Sequence, residues 1–151
     1  MLREAFGERL KAAMRARDAR TVSAVRLILA GLKDRDIAAR GSSNPAELGD
    51  REILQLLQGM VKQRRESILM YEQGNRADLA DKERDEIAVI ESFLPQQMSG
   101  DEIVAAARTV IAETGAAGVK DMGKVMAALR ERHAGVIDMA RAGAVVKQLL
   151  G

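Results

Sequence analysis

Apolar residues recur along this chain with the spacing of helix faces. Leu2, Phe6, Leu10 and Met14 follow one another every four residues, and Val22, Val25, Leu29 and Leu32 by threes and fours. Both segments read as amphipathic helices, with Asp18 placed to cap the second. A longer stripe of Ile53, Leu57, Met60, Val61, Ile68 and Tyr71 predicts a helix from about Asp50 to Gln73, ended by Gly74-Asn75. Leu79, Ile87, Ile90 and Leu94 define the next. Pro95 stops it, because proline has no N–H and disfavours helical geometry at the residue before it. Two long elements joined by so short a connection imply an antiparallel helical hairpin. Nothing alternates with period two over a useful length, so no sheet is expected.

Polar residues interrupt those stripes at two places. Arg64 falls between Val61 and Ile68, and Glu83 between Leu79 and Ile87, ten residues before and nine after Gly74. An antiparallel hairpin brings them to the same depth. The spacing predicts a partly buried structural ion pair, Arg64 with Glu83, that fixes register; a catalytic Arg/Glu pair is the alternative. The stretch Ala39 to Gly49 gathers turn formers and one of the two prolines and reads as a loop. Its Gly41-Ser42-Ser43 lacks the lysine and the flanking strand that a phosphate cradle or a serine amidase needs.

Beyond Pro95-Gln96-Gln97-Met98 the pattern changes. Ser99-Gly100-Asp101-Glu102 is a capping box opening a helix that carries Ile103, Ala106, Ala107, Val110 and Ile111 and ends near Gly115. Two shorter helices follow, about 121 to 133 and 139 to 150, separated by Gly135 and with Asp138 as a cap. The expected fold is therefore all-α: an N-terminal helical domain over 1–94 containing the long antiparallel hairpin, a linker at 95–98, and a small three-helix module over 99–151.

Composition narrows the chemistry. Apolar residues make up 47% of the 151 and the net charge is only +2, which excludes a disordered chain. Absence of cysteine removes disulfide and thiolate-metal frameworks, and the single histidine, His133, leaves no histidine zinc site and no supported Ser-His-acid triad. No metal or other cofactor is expected. Neither a basic-then-apolar leader nor a run near the roughly 20 residues of a membrane span is visible, so the protein is expected to be cytosolic and off the membrane.

The small net charge hides an uneven distribution. Residues 1 to 26 carry seven basic against three acidic side chains, a net of +4, whereas residues 72 to 91 carry three against seven, a net of −4. Residues 120 to 151 return to +3, with six against three. Solvated helix faces account for such runs in most proteins, and opposite segments can also pack together. Glu83 and Glu86 could in principle share acid/base work or a cation, but helical spacing makes such pairs common. No catalytic constellation is visible, and the reading leans away from an enzyme.

Gly123 and Gly143 sit inside helices, where glycine costs roughly 1 kcal/mol relative to alanine. Close helix packing is the usual cause. The other is a phosphate backbone approaching the helix, with Lys120 or Lys124 as donors and Arg130, Arg132, His133, Arg141 and Lys147 extending the patch. His133, at a helix end in the basic run from Arg130, also reads as a complement to the helix dipole. No aromatic residue follows Phe93, so base stacking is not available to the module, and shape and phosphates remain as what it could recognise.

A family resemblance joins these pieces. The run Met60 to Ile68, then Tyr71-Glu72, Gly74, Arg76, Asp78-Leu79-Ala80, Glu83, Glu86-Ile87 and Phe93-Leu94-Pro95-Gln96-Gln97, resembles the bacterial YqeY proteins, whose members share a GatB/YqeY domain. Ala13 to Asp18, Val25 to Ile28, Asp121 to Met126, Gly135, Asp138 and Val146-Lys147 agree as well. Phe93 stands where a tyrosine is common, and Met139 replaces a small residue. The resemblance implies an all-helical protein whose terminal module is similar to the tail of the B subunit of the glutamine-dependent tRNA amidotransferase, a carbon-nitrogen ligase with glutamine as amido donor. That tail contacts tRNA, and only the Gly123-Lys124 motif and its basic neighbours carry over as candidate contacts. The resemblance thus implies a non-catalytic adaptor for tRNA or another structured RNA, with an amidotransferase or an aminoacyl-tRNA synthetase as protein partner. A module docking a protein through the charged N-terminal hairpin is the alternative.

Overall fold

A computed structural model of the chain describes residues 1–42 and 48–151. Among the described residues the structure has seven α-helices, one 3-10 turn and no strand. The chain divides into two compact units, Met1–Leu94 and Pro95–Gly151. No helix among the described residues is long and apolar enough to cross a membrane.

The first unit holds α1 (Leu2–Arg15), α2 (Ala19–Arg40), α3 (Asp50–Gln73) and α4 (Ala77–Glu91). Its core gathers Phe6, Val25, Ile28, Ile53, Leu57 and Ile90, all fully buried. Phe6 meets Phe93 edge to face with ring centroids 4.8 Å apart, a geometry that the aromatic quadrupole favours. Along α2 the inward face differs slightly from the sequence stripe. Ala24, Val25, Ile28 and Leu32 are buried, while Val22 and Leu29 sit half-buried at the edges. Asp18 caps this helix, accepting from the Thr21 N–H at 3.1 Å and from its hydroxyl at 2.6 Å. Those bonds hold the Asp18 carboxyl below its usual range.

At the other end, α2 runs on to Arg40, so the loop expected from Ala39 opens two residues later. Alanine and arginine are good helix formers and carry the helix past the expected break. Residues 43–47 of that loop, including Ser43 of the Gly-Ser-Ser run, lie outside the described residues. On its near side Arg3 forks onto Asp36, two bonds of 2.8 Å, and also donates to the Leu48 carbonyl. The start of α1, the end of α2 and the approach to α3 are thereby tied together.

Three of the helices end in one backbone motif. After α1 the Asp18 N–H returns to the Ala13 carbonyl and Arg17 takes φ 55°. After α3 the Arg76 N–H returns to the Tyr71 carbonyl and Asn75 takes φ 57°. After α5 the Ala116 N–H returns to the Ile111 carbonyl and Gly115 takes φ 67°. Each left-handed residue closes the helix by satisfying its last carbonyls. Glycine fits there without cost, asparagine with little, and arginine with most.

The second unit holds α5 (Gly100–Thr114), a 3-10 turn (Val119–Asp121), α6 (Met122–Arg132) and α7 (Met139–Leu150). Each of the three helices packs on the other two. Ile103, Ala107, Val110, Val125, Leu129, Ala142 and Val146 form the core, with Ile137 inserted from the turn between α6 and α7. Both halves of the capping box are made, since Ser99 Oγ accepts from the Glu102 N–H and Glu102 accepts from the Ser99 N–H. Asp138 caps α7 by accepting from the N–H groups of Ala140 and Arg141. Residues before the capping box belong to this unit too. Gln97 donates to the Gly135 carbonyl and the Met98 N–H to the Val136 carbonyl, both at 2.8 Å.

Candidate functional site

Arg64 is the most enclosed cation with a carboxylate partner in the first unit. Its Nε donates to Glu86 at 2.9 Å and stands 4.0 Å from Glu83, and its Nη1 donates to the Met60 carbonyl at 3.2 Å. Arg64 and Glu86 are 12% and 13% exposed, too enclosed for water to screen the pair fully. The carboxylate within hydrogen-bond distance is thus Glu86, one helical turn beyond Glu83 and on the same face of α4. The i, i+3 spacing of the two glutamates was the signal that could have identified it. Around this cluster Glu72 pairs with Arg84, and Arg65 with Glu91. The order of these partners shows α3 and α4 running antiparallel. Arg64, Arg65 and Arg84 each meet a carboxylate of the facing helix, and the arrangement is one of interhelical tethers. Among the described residues no three acidic or histidine side chains converge to hold a metal ion.

Eight residues of the second unit were singled out as RNA contacts, and the structure divides them. Lys124 donates to the Thr114 carbonyl at 3.3 Å, where a cation complements the negative end of α5. Arg132 pairs with Glu113 in the same last turn. These two basic side chains are engaged inside the unit. His133 ends α6 half-buried, its carbonyl accepting from the N–H groups of Val136 and Ile137. The Arg141 guanidinium stands over the start of α5, 3.0 Å from where a Cβ on Gly100 would lie. Lys147 is exposed in the last turn of α7.

Lys120, Gly123 and Arg130 make a different group. They fall at spacings of three and seven along one helical line, which Ala127 completes, and all four are exposed. Lys120 and Arg130 have no ion-pair partner among the described residues. A Cβ on Gly123 would meet nothing within 4 Å, so helix packing does not explain this glycine. At Gly143 the methyl groups of Met126 and Met122 lie 3.7 and 3.8 Å from the Cβ position, ordinary contact that an alanine would also make. One glycine is thus in contact with α6 and the other bares its backbone to solvent between two cations.

Comparison with known proteins places these features in a family. The model of the YqeY-like protein family matches residues 3–150. Among curated proteins the chain is similar to altered inheritance of mitochondria protein 41, mitochondrial, of Lachancea thermotolerans, 33% identical over 87 residues, or 58% of this chain and 44% of the relative. The protein of that name in Candida glabrata is 34% identical over 87 residues, covering 58% and 46%. In Saccharomyces cerevisiae it is 29% identical over 94 residues, covering 62% and 49%. The chain spans about half the length of these relatives or slightly less. Their names correct the cytosolic expectation, because the matched relatives are mitochondrial proteins. Compartment is set by segments that receptors read, about which helix periodicity and composition are silent. With its family model matched from residue 3 to residue 150, the chain belongs to the YqeY-like family.

Proposed function

We propose that this YqeY-like protein is a non-catalytic adaptor that holds tRNA or another structured RNA on its second unit. Support comes above all from the exposed line Lys120, Gly123, Ala127 and Arg130. A cation stands at each end, and small residues between them leave α6 open to close approach. Phosphates gain from such a surface by charge and by contact with the backbone, and base stacking has no aromatic side chain to use. Recognition is then of shape and backbone rather than of sequence. An amidotransferase or an aminoacyl-tRNA synthetase is the protein partner that the family resemblance suggests.

Fluorescence anisotropy with labelled tRNA tests the reading. Binding should weaken steeply as salt rises, and Lys120→Glu with Arg130→Glu should weaken it about tenfold or more at low salt. Gly123→Leu should lower affinity while leaving the helix intact, since open space receives the new side chain. No retention of tRNA at low salt would sink the proposal.

A further inference from the structure

Between the end of α1 and the beginning of α2 lies an open groove of about 670 Å³. Met14, Val22 and Leu27 provide its apolar surface, and Arg17, Ser23 and Arg26 its polar one. Met14 is 53% exposed and Leu27 42%, so two large apolar side chains face water together. Most exposed apolar residues are scattered singly and mean little. These two share one concavity with two arginines.

Charge around the groove is only partly compensated among the described residues. Arg20 reaches Asp85 at 2.7 Å, whereas Arg15, Arg17 and Arg26 have no carboxylate partner among the described residues. Arg17 carries a second anomaly. It takes the left-handed position that Gly115 fills after α5 and Asn75 after α3, with φ 55° and the same returning hydrogen bond. A side chain is therefore kept where glycine would be sterically free, and that side chain lines the groove.

We propose that this groove docks an acidic amphipathic helix of a partner protein. An apolar row of the incoming helix seats between Met14 and Leu27, and carboxylates on either side pair with Arg17 and Arg26. Charge complementarity selects this occupant: the arginines call for anions, and the apolar walls call for side chains that shed water. Phosphate backbone would satisfy the first and waste the second, and no aromatic ring lines the groove to stack a base. No sheet edge exists among the described residues for an extended strand to join, whereas a cleft between two helices accepts a third by its i, i+3 and i+4 anchors. Methionine on the wall adapts to varied anchor shapes. This docking is independent of the RNA surface on the second unit.

A displayed library of random peptides of about four helical turns, roughly 16 residues, selected on the full chain, tests the proposal. Recovered sequences should place Leu, Ile, Met or Phe at helical spacing with Asp or Glu beside them. Their binding should fall about tenfold in Leu27→Asp and in Arg26→Glu, with unchanged circular dichroism. Arg17→Gly is the sharper variant: affinity should drop several-fold while thermal stability holds or rises, because glycine suits the backbone there. The proposal is overturned if no peptide is enriched, or if enriched peptides are basic or unpatterned. Equal binding by Leu27→Asp would overturn it as well. So would a structured RNA or vesicles containing phosphatidylserine binding the groove, lost in Arg26→Glu, where no peptide binds.

Discussion

The two units carry the same net charge, +1 each, and spend their polar side chains differently. In Met1–Leu94 the ions work between helices: Arg3 with Asp36, Arg20 with Asp85, Arg64 with Glu86, Arg65 with Glu91 and Arg84 with Glu72. In Pro95–Gly151 they work mainly at helix ends, through Ser99 and Glu102, Asp138, Asp121 accepting from the Ala117 N–H, and Lys124. Arg132 with Glu113 is the one ion pair of the second unit among the described residues. Helix length explains the difference. Each of these five pairs has one partner on α2 or α3, the helices of 22 and 24 residues, which can slide by a turn against a neighbour and keep an apolar interface, so side-chain tethers fix their register. Helices of 11 to 15 residues have a large share of their backbone groups at unsatisfied ends, and caps decide whether they form.

Substitutions can break this contrast. Removing a tether should cost the first unit most: Arg64→Leu leaves Glu86 and Glu83 without their cation and should destabilise by about 3 kcal/mol, read as a shift of the urea midpoint. Adding Glu86→Leu to that variant should restore most of the loss, because the burden is the orphaned charge. In the second unit Ser99→Ala removes half of the capping box and should cost about 1 kcal/mol, visible as faster hydrogen exchange in the first turn of α5. Gly123→Ala should act in the opposite direction, stabilising α6 by up to about 1 kcal/mol in thermal melts, since nothing stands where its methyl group goes.

Acid offers a comparison without mutation, and the smallest effect. Asp36 is held below its usual range chiefly by its bond from Arg3, Asp78 by its bond from Arg76, and Asp18 by the Thr21 hydroxyl, all in the first unit. In the second, Glu102 is lowered, by the Ser99 N–H and hydroxyl. A carboxyl lowered in the folded state contributes stability that is full above its unfolded value, about 4, and is lost as pH falls through the folded one. Hydrogen exchange at pH 7 and pH 3 should therefore show the first unit losing more protection than the second. Equal loss would mean that the three lowered aspartates of the first unit together weigh no more than the Glu102 capping bond of the second.

Helix positions were legible because apolar period and cap chemistry are local. Asp18, the Ser99 box, Asp138 and the Pro95 stop needed only neighbours within one turn. That Arg64 and Glu83 lie at one depth was legible, and they stand 4.0 Å apart; that Glu86 takes the hydrogen bond was not, since Glu83 and Glu86 share a face. Gly123 and Gly143 look alike in sequence, and only the packing of Met122 and Met126 against one of them tells them apart. The groove is illegible in the sequence for a related reason. Val22 reads as a core residue by spacing, yet it stands at the edge of α2, and nothing in Ala16-Arg17-Asp18 announces a left-handed arginine.

The bonds from Gln97 to Gly135 and from Met98 to Val136 give the second unit a latch made wholly of its own residues. A chain entering at Pro95 is clipped to the α6–α7 turn before the capping box begins. The module thus carries its own clasp, since both ends of each bond lie within Pro95–Gly151.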